Sequence, residues 1–162
     1  DREIVCLGEN KELRFYTKRI HLPLKCVEDI ASALPEGCCK LQSIHLTDKS
    51  LLEGLRERLL ALPGLSGRIQ AIFSNDQYLE ILPVEAGKGA ALRFLTDYLP
   101  ASRARTFAAG EAENDISMID AAETGIAMAN ASQAVKLAAD IVTKKTNQED
   151  GLLEVLQDYD FL

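Results

Sequence analysis

The sequence predicts an α/β fold in two parts. After Pro83, short strands and helices alternate with brief connections, a pattern typical of a parallel sheet covered by helices. Before Pro83, strands and helices are mixed in the manner of an α+β layer. The composition also becomes richer in alanine and glycine after Pro83. We therefore assign residues 1–82 to a first domain and residues 83–162 to a second.

In the first domain, local periodicity and turn chemistry predict the elements. Strands are expected at residues 3–7, 13–20, 41–46, 67–74 and 78–82. The first two strands flank turn residues 8–11 and are expected to form a hairpin, and Asn75 and Asp76 form the turn between the last two. Helices are expected over 27–34 and after a cap at Thr47 or Asp48. The leucines expected on the buried face of the second helix are Leu51, Leu52, Leu55, Leu59 and Leu62.

The second domain has a regular alternation of elements. Helices are expected at residues 88–99, 114–122, 133–138 and 151–158. Strands are expected at residues 106–109, 125–128 and 141–143. Because parallel sheets bind ligands at the carboxyl ends of their strands, the loops after these strands are where functional residues are expected.

Composition and charge exclude several classes of partner. The chain has 162 residues, 47% of them hydrophobic, with 18 basic and 25 acidic residues and a net charge of −7. Such a surface repels phosphate backbones and anionic lipids, so we expect neither nucleic acid nor a membrane surface as partner. A small anionic ligand remains compatible with this charge if positive charge is concentrated at one site.

Four cysteines and two histidines limit the redox and metal chemistry. These residues are Cys6, Cys26, Cys38, Cys39, His21 and His45. Their spacing contains no CxxC pair and no zinc-like pattern. No apolar run approaches membrane-spanning length, and no basic-then-apolar leader opens the chain. We therefore expect reduced thiols in a cytoplasmic protein.

An acidic loop follows the strand at 106–109. Glu111 and Asp115 lie four residues apart, so a helical first turn brings their carboxylates to one side. Oxygen ligands of this kind suit Mg²⁺, which retains several waters and accepts phosphate as a further ligand. Alternatively, acidic residues at this position cap the helix and complement its dipole.

Two further positions are candidates for ligand contacts. Lys88, between Gly87 and Gly89, is at a helix start, where free N–H groups and the helix dipole favour an anion, although such a lysine is usually only solvated. Asn130 follows a strand and precedes a helix. A helix-capping role is favoured for Asn130 over a ligand contact.

Several segments in the right order resemble the haloacid dehalogenase superfamily, in particular Cof-like type IIB phosphatases. These segments are Tyr78-Leu-Glu-Ile-Leu-Pro83, Gly87-Lys-Gly-Ala-Ala-Leu92, Phe107-Ala-Ala-Gly-Glu-Ala-Glu-Asn-Asp-Ile-Ser-Met118, Gly125-Ile-Ala-Met-Ala-Asn-Ala131 and Ala138-Ala-Asp-Ile-Val-Thr143. The resemblance implies the C-terminal half of a Rossmann-like core, preceded by part of an α+β type C2 cap. Residues 1–77 match the family only loosely.

The resemblance also implies site residues. Lys88 matches the lysine that steadies the phosphate and the nucleophile, and Asn114 matches a residue of the phosphate contacts. Glu111 falls where the family has its metal-binding Asp, and Asp115 completes the metal site. We retain Asn130 as a candidate substrate-binding residue. The implied cofactor is Mg²⁺, and the implied substrate is a small phosphorylated metabolite such as a sugar phosphate.

The sequence departs from the family pattern in two respects. The nucleophile motif DxDGT is absent, and Asp158-Tyr-Asp160 has its spacing only at the end of a terminal helix. Glu111 stands where the family has Asp, and its extra methylene moves the carboxylate outward, whereas Mg²⁺ demands near-ideal octahedral geometry.

These departures lead to the functional expectation. We expect a C-terminal fragment of a Mg²⁺-dependent phosphatase that works through an aspartyl-phosphate and is inactive by itself. The missing core strands leave an open sheet edge, which a homodimer would cover. The alternative is a non-catalytic binding module derived from a decayed phosphatase. A receiver-like phosphoacceptor domain is a weaker third interpretation, because no acceptor Asp follows an early strand.

Overall fold

The computed structural model describes residues 3–99 and 106–159. In chain order, the elements up to Pro83 are β1 (Ile4–Cys6), α1 (Lys11–Ile20), β2 (Leu24–Cys26), α2 (Ile30–Ala33), β3 (Leu41–Ile44), α3 (Lys49–Ala61), β4 (Ile69–Asn75) and β5 (Tyr78–Pro83). The later elements are α4 (Lys88–Tyr98), β6 (Phe107–Gly110), a 3₁₀ turn (Glu113–Asp115), α5 (Ile116–Ala121), β7 (Thr124–Ala127), α6 (Gln133–Ala138), β8 (Ile141–Val142) and α7 (Gly151–Asp158). No helix in these described ranges is long and apolar enough to cross a bilayer.

Three sheets organise the described chain. β1 and β2 form a parallel pair, β3, β5 and β4 form an antiparallel sheet in that order, and β6, β7 and β8 form a parallel sheet. The predicted α/β class and the parallel sheet of the second half are therefore confirmed. The domain division between residues 82 and 83 stays a prediction.

Two apolar clusters stabilise these sheets. One joins α3 to the antiparallel sheet through Leu52, Ala71, Phe73 and Leu79. The other joins the parallel sheet to its helices through Ile119, Ala127, Ala131 and Val135. Burial of such side chains provides the main favourable free energy for packing each layer.

The predicted hairpin at the start of the chain is wrong. Residues 13–20 are not a strand but belong to helix α1, so β1 pairs with β2 in parallel across a helical connection. The Asn10 side chain caps α1 by accepting a hydrogen bond from the Leu13 backbone at 2.8 Å. Leu13 is buried, and this capping and packing outweigh the strand propensity of the Phe15–Thr17 segment.

Two other predictions for residues 1–82 need correction. The helix expected over 27–34 is confined to α2, because the Asp29 carboxylate caps it by accepting hydrogen bonds from the N–H groups of Ala31 and Ser32. In α3 only Leu52 is fully buried among the expected leucines. Leu51 and Leu62 are 56% and 49% exposed, so they lie outside the buried stripe.

Of the two caps predicted for α3, Thr47 and Asp48, the structure has Asp48, which accepts hydrogen bonds from the Ser50 hydroxyl at 2.6 Å and the Ser50 backbone N–H at 3.0 Å. These bonds lower the pKa of Asp48 below its ordinary value of 3.8. The carboxylate therefore stabilises the fold above that value, and the contribution is lost as the pH falls through the lower folded-state pKa.

We expect Asp48→Ala to lower the thermal midpoint at neutral pH, with a difference from wild type that shrinks below about pH 4.

Circular dichroism melts over a pH series measure this effect. Asp48→Asn is the matched control, because its amide oxygen still accepts a hydrogen bond but does not titrate. A difference between wild type and Asp48→Ala that stays constant with acidification would contradict the capping role.

Candidate functional site

The acidic loop lies at the carboxyl end of β6, where ligands of parallel sheets bind. β6 ends at Gly110, and the 3₁₀ turn Glu113–Asp115 leads directly into α5. The start of α4, which carries Lys88, packs against this turn and against α5. Two segments that are far apart in the sequence are thus adjacent at one end of the sheet.

Asp115 and Lys88 form the centre of this arrangement. The Asp115 side chain is 7% exposed, and its Oδ1 lies 2.5 Å from Lys88 Nζ. Its Oδ2 accepts hydrogen bonds from the backbone N–H groups of Glu111 and Ala112, both at 3.0 Å. The carboxylate thus fixes the loop backbone and holds the lysine cation at the sheet end. A buried carboxylate is tolerated here because all of these donors are directed at it.

Two glycines allow these groups to approach. A Cβ on Gly110 would lie 2.3 Å from Asp115 Cβ, and a Cβ on Gly89 would lie 2.1 Å from the Ser117 carbonyl oxygen. The Gly89 N–H also donates to Ser117 Oγ at 3.2 Å. Any side chain at position 89 would separate α4 from α5 and move Lys88 away from Asp115.

Glu113 connects the acidic loop to the antiparallel sheet. Its two carboxylate oxygens lie 2.9 and 3.0 Å from Arg56 Nη1, and Oε2 accepts the Phe73 backbone N–H at 3.1 Å. The Arg56 guanidinium also lies 4.8 Å from the centroid of the Phe73 ring. The residue immediately before Asn114 is therefore tied to α3 and β4 by a charge-assisted contact.

We expect this contact to contribute to stability. Arg56→Ala should lower the free energy of unfolding by about 1–2 kcal/mol, because it removes both the hydrogen bonds to Glu113 and the cation–π contact. A double-mutant cycle with Glu113→Gln, followed by urea unfolding, isolates the pairwise term. The control cycle uses Lys49→Ala and Asp76→Asn, a pair 41% and 82% exposed, for which coupling of about 0–0.5 kcal/mol is expected. Equal coupling energies in the two cycles would contradict the expected stabilising contact between Arg56 and Glu113.

Glu111 faces a cleft beside this loop. The cleft has a volume of about 580 Å³, and its lining includes Gly110, Glu111, Met128, Asn147 and Asp150. Within the described part of the chain, the Glu111 carboxylate forms no hydrogen bond or ion pair. It is therefore the carboxylate of the loop that is available to a ligand, because those of Glu113 and Asp115 are engaged.

Asn130 does not cap the following helix. Ser132 caps α6, with its Oγ 3.5 Å from the Val135 nitrogen, whereas Asn130 Oδ1 accepts the Asn147 backbone N–H at 3.2 Å. The predicted capping role of Asn130 is thus wrong, and its oxygen instead joins the loops that follow β7 and β8. Its proposed contact with substrate stays a prediction.

Only some of the predicted site residues contact one another directly. Lys88 and Asp115 are in contact, and Glu111 joins them through its backbone N–H. Asn114 is half-buried in the turn beside them. Asp160 of the DxD-spaced segment lies outside the described residues. The contact of Glu113 with Arg56 was not predicted from the sequence, although the position of Glu113 in the acidic loop is a usable signal.

The described residues alone do not complete a magnesium site. Nowhere in the described ranges do three or more His, Cys, Asp or Glu side chains converge as a metal-binding group. Mg²⁺ requires octahedral oxygen ligation and is commonly held by one or two carboxylates with waters and phosphate. Glu111 offers one carboxylate, and the oxygens of Asp115 are already occupied by three donors. Further ligands would have to come from outside this set.

The sequence of this chain is similar to that of a hydrolase family and to those of several phosphatases. The profile of the haloacid dehalogenase-like hydrolases matches residues 11–156. A putative phosphatase from Haemophilus influenzae is 40% identical over 85 residues, which are 52% of this chain and 32% of that protein. A phosphoglycolate phosphatase from Archaeoglobus fulgidus is 42% identical over 77 residues, 48% of this chain and 34% of that protein.

A solved structure extends the similarity over nearly the whole chain. The crystal structure of a haloacid dehalogenase-like hydrolase from Bacteroides thetaiotaomicron covers 98% of this chain and 58% of its own, with a TM-score of 0.75 and 28% identity. The matches therefore span about a third of the length of the two curated relatives and little more than half of the solved chain.

Proposed function

Because the chain belongs to the haloacid dehalogenase-like hydrolase family, we propose that it is the C-terminal part of a Mg²⁺-dependent phosphatase. The substrate is a small phosphorylated metabolite, such as a sugar phosphate, and the reaction proceeds through an aspartyl-phosphate. The observation that carries the proposal is the Lys88–Asp115 pair at the carboxyl end of β6. A cation held by a buried carboxylate at this end of a parallel sheet suits an anionic phosphoryl group.

Each candidate residue has a distinct part in this proposal. Lys88 offsets the negative charge on the transferring phosphoryl group, and Asn114 donates its side-chain amide to a phosphate oxygen. Asp115 is a positioning residue, because its carboxylate orients both Lys88 and the loop backbone. Glu111 offers a carboxylate to the metal, which when bound would stabilise charge on the phosphate oxygens.

The nucleophilic aspartate comes from a segment outside this chain. The sequence contains no DxDGT motif. In the described part of the chain, β6 pairs with β7 alone, so one edge of the parallel sheet is available for another strand. A strand added there would bring its carboxyl end beside the Lys88–Asp115 pair. We propose that residues 1–82 contribute to substrate selection and that a homodimer is an alternative way to cover this edge.

A non-catalytic binding module is the second candidate function. It is favoured by Glu111 standing where the family has Asp and by the incomplete metal-ligand set among the residues that the structure describes. The two candidates differ in the expected effect of Glu111→Asp in the complete protein. A large gain in Mg²⁺-dependent hydrolysis indicates a decayed site, whereas a loss indicates an enzyme adapted to Glu.

The decisive experiment begins with the protein made by its native cell. Its intact mass and N-terminal sequence are determined, and its hydrolysis of p-nitrophenyl phosphate is measured with and without Mg²⁺. The proposal expects a longer product with an upstream DxDGT and metal-dependent hydrolysis, while the 162-residue chain alone is inactive. A native product without that motif that binds phosphate but does not hydrolyse the ester would establish the binding module instead.

A further inference from the structure

A pair of cysteines lies on adjacent strands of the small parallel sheet. Cys6 of β1 and Cys26 of β2 are register partners. Their sulfur atoms are 3.4 Å apart and share a hydrogen bond. Cys26 is exposed and Cys6 is partly exposed, so both thiols are accessible to small reagents. The two residues are separated by helix α1 in the sequence and meet only through the fold.

From this geometry we infer that Cys6 and Cys26 are a dithiol site that a small disulfide oxidant, of the glutathione class, converts into a reversible intramolecular disulfide. Neighbouring strands lie about 4.8 Å apart, within the Cα separation that disulfides use. The sulfur atoms need only approach from 3.4 Å to about 2.05 Å, which side-chain rotation and a small strand movement can supply. No residue of the proposed phosphatase site takes part.

The chemistry proceeds by two thiol–disulfide exchanges. The Cys26 thiolate attacks one sulfur of the oxidant, forms a mixed disulfide and releases one small thiol. Cys6 then attacks the Cys26 sulfur and expels the second small thiol. The two cysteine sulfurs lose two electrons in total to the oxidant, and the two cysteine protons leave with the released thiols.

The exposure of the two cysteines explains why the bond would be reversible. Cys26 is exposed and Cys6 is partly exposed, so a reducing thiol can reach the bond once it has formed. Exposed disulfides are the more easily reduced ones. Such a bond suits a reducing compartment, where disulfides are transient and redox-sensing.

The other two cysteines provide a comparison within the chain. Cys38 and Cys39 are exposed and adjacent in sequence, but no sulfur–sulfur contact joins either of them to another described cysteine. The hydrogen bond with Cys6 raises the pKa of the Cys26 thiol, so oxidation without structural selection would modify the exposed Cys38 and Cys39 at least as readily as Cys26. The structure therefore predicts selective pairing of Cys6 with Cys26.

Equilibration of the reduced full chain with oxidised glutathione tests this inference. Free-thiol titration should fall from four to two, the intact mass should decrease by two hydrogen atoms, and a peptide map should link Cys6 to Cys26. Dithiothreitol should restore all four thiols. Cys6→Ser should instead accumulate a stable glutathione adduct on Cys26, because the resolving thiol is absent.

The double variant Cys38→Ser/Cys39→Ser is the matched control and should still form the Cys6–Cys26 bond. Four thiols that persist, a link that involves Cys38 or Cys39, or a wild-type chain that retains glutathione on Cys26 would each overturn the inference. Because the readout is thiol count and linkage, a failure of the proposed phosphatase activity leaves this test unaffected.

Discussion

Replacement of Gly89 by alanine is expected to lower the free energy of unfolding by about 3 kcal/mol, at the upper end of the usual cost of overpacking. The added methyl group would lie 2.1 Å from the Ser117 carbonyl oxygen and 2.9 Å from Ser117 Cβ. The nearest atom is a backbone oxygen, so no side-chain rotation can relieve the clash. Helices α4 and α5 must move apart, with loss of the hydrogen bond from the Gly89 N–H to Ser117.

Urea unfolding followed by circular dichroism measures this change. Gly54→Ala is the matched control, because Gly54 lies within α3 and its added Cβ would meet nothing within 4 Å. Alanine should stabilise that helix by about 0.5–1 kcal/mol through its better helix propensity. The same substitution is therefore expected to have opposite signs at the two positions. A destabilisation below about 1 kcal/mol at position 89 would be inconsistent with the close helix contact.

Strong local periodicity explains which elements the sequence predicted well. The strand and helix alternation after Pro83 gave a parallel sheet, and α6 and α7 have the expected bounds. These segments are short, and within each of them the apolar face, the turns and the caps all indicate the same type of secondary structure. The error at α1 arose where these signals disagree. Its aromatic and β-branched residues favour a strand, while the cap at Asn10 and the burial of Leu13 favour a helix.

Contacts between distant segments explain what the sequence could not predict from pattern alone. Arg56 and Glu113 are 57 residues apart and belong to different layers, so no local periodicity relates them. The proximity of Lys88 to Asp115 was implied only by the family resemblance. The close approaches at Gly89 and Gly110 likewise depend on how helices pack, although each glycine stands next to a candidate site residue.

Lys88→Ala in the complete native protein is expected to reduce the kcat of phosphate-ester hydrolysis by about 10²–10³-fold. The lysine cation is held 2.5 Å from Asp115, and in the proposed function it offsets the charge that develops on the phosphoryl group. Lys88→Arg is expected to restore little activity, because the planar guanidinium is larger than an ammonium and cannot occupy the same position. Lys11→Ala is the control, since Lys11 is 73% exposed on α1.

The substitution also leaves the buried Asp115 carboxylate without its cation, so stability must be separated from catalysis. We expect Lys88→Ala to lower the free energy of unfolding by about 1–3 kcal/mol. Adding Asp115→Asn removes the unpaired charge, while the amide oxygen can still accept the N–H groups of Glu111 and Ala112. The double variant should therefore regain stability but keep the low kcat of Lys88→Ala.

This pair of measurements distinguishes two roles for Lys88. If activity returns together with stability in the double variant, the lysine serves only to neutralise Asp115, and the phosphoryl group is stabilised by other residues. If stability returns and hydrolysis stays low, the cation itself is required by the reaction. The second outcome is the one we expect, because the acidic loop at this end of the sheet otherwise presents negative charge to an anionic substrate.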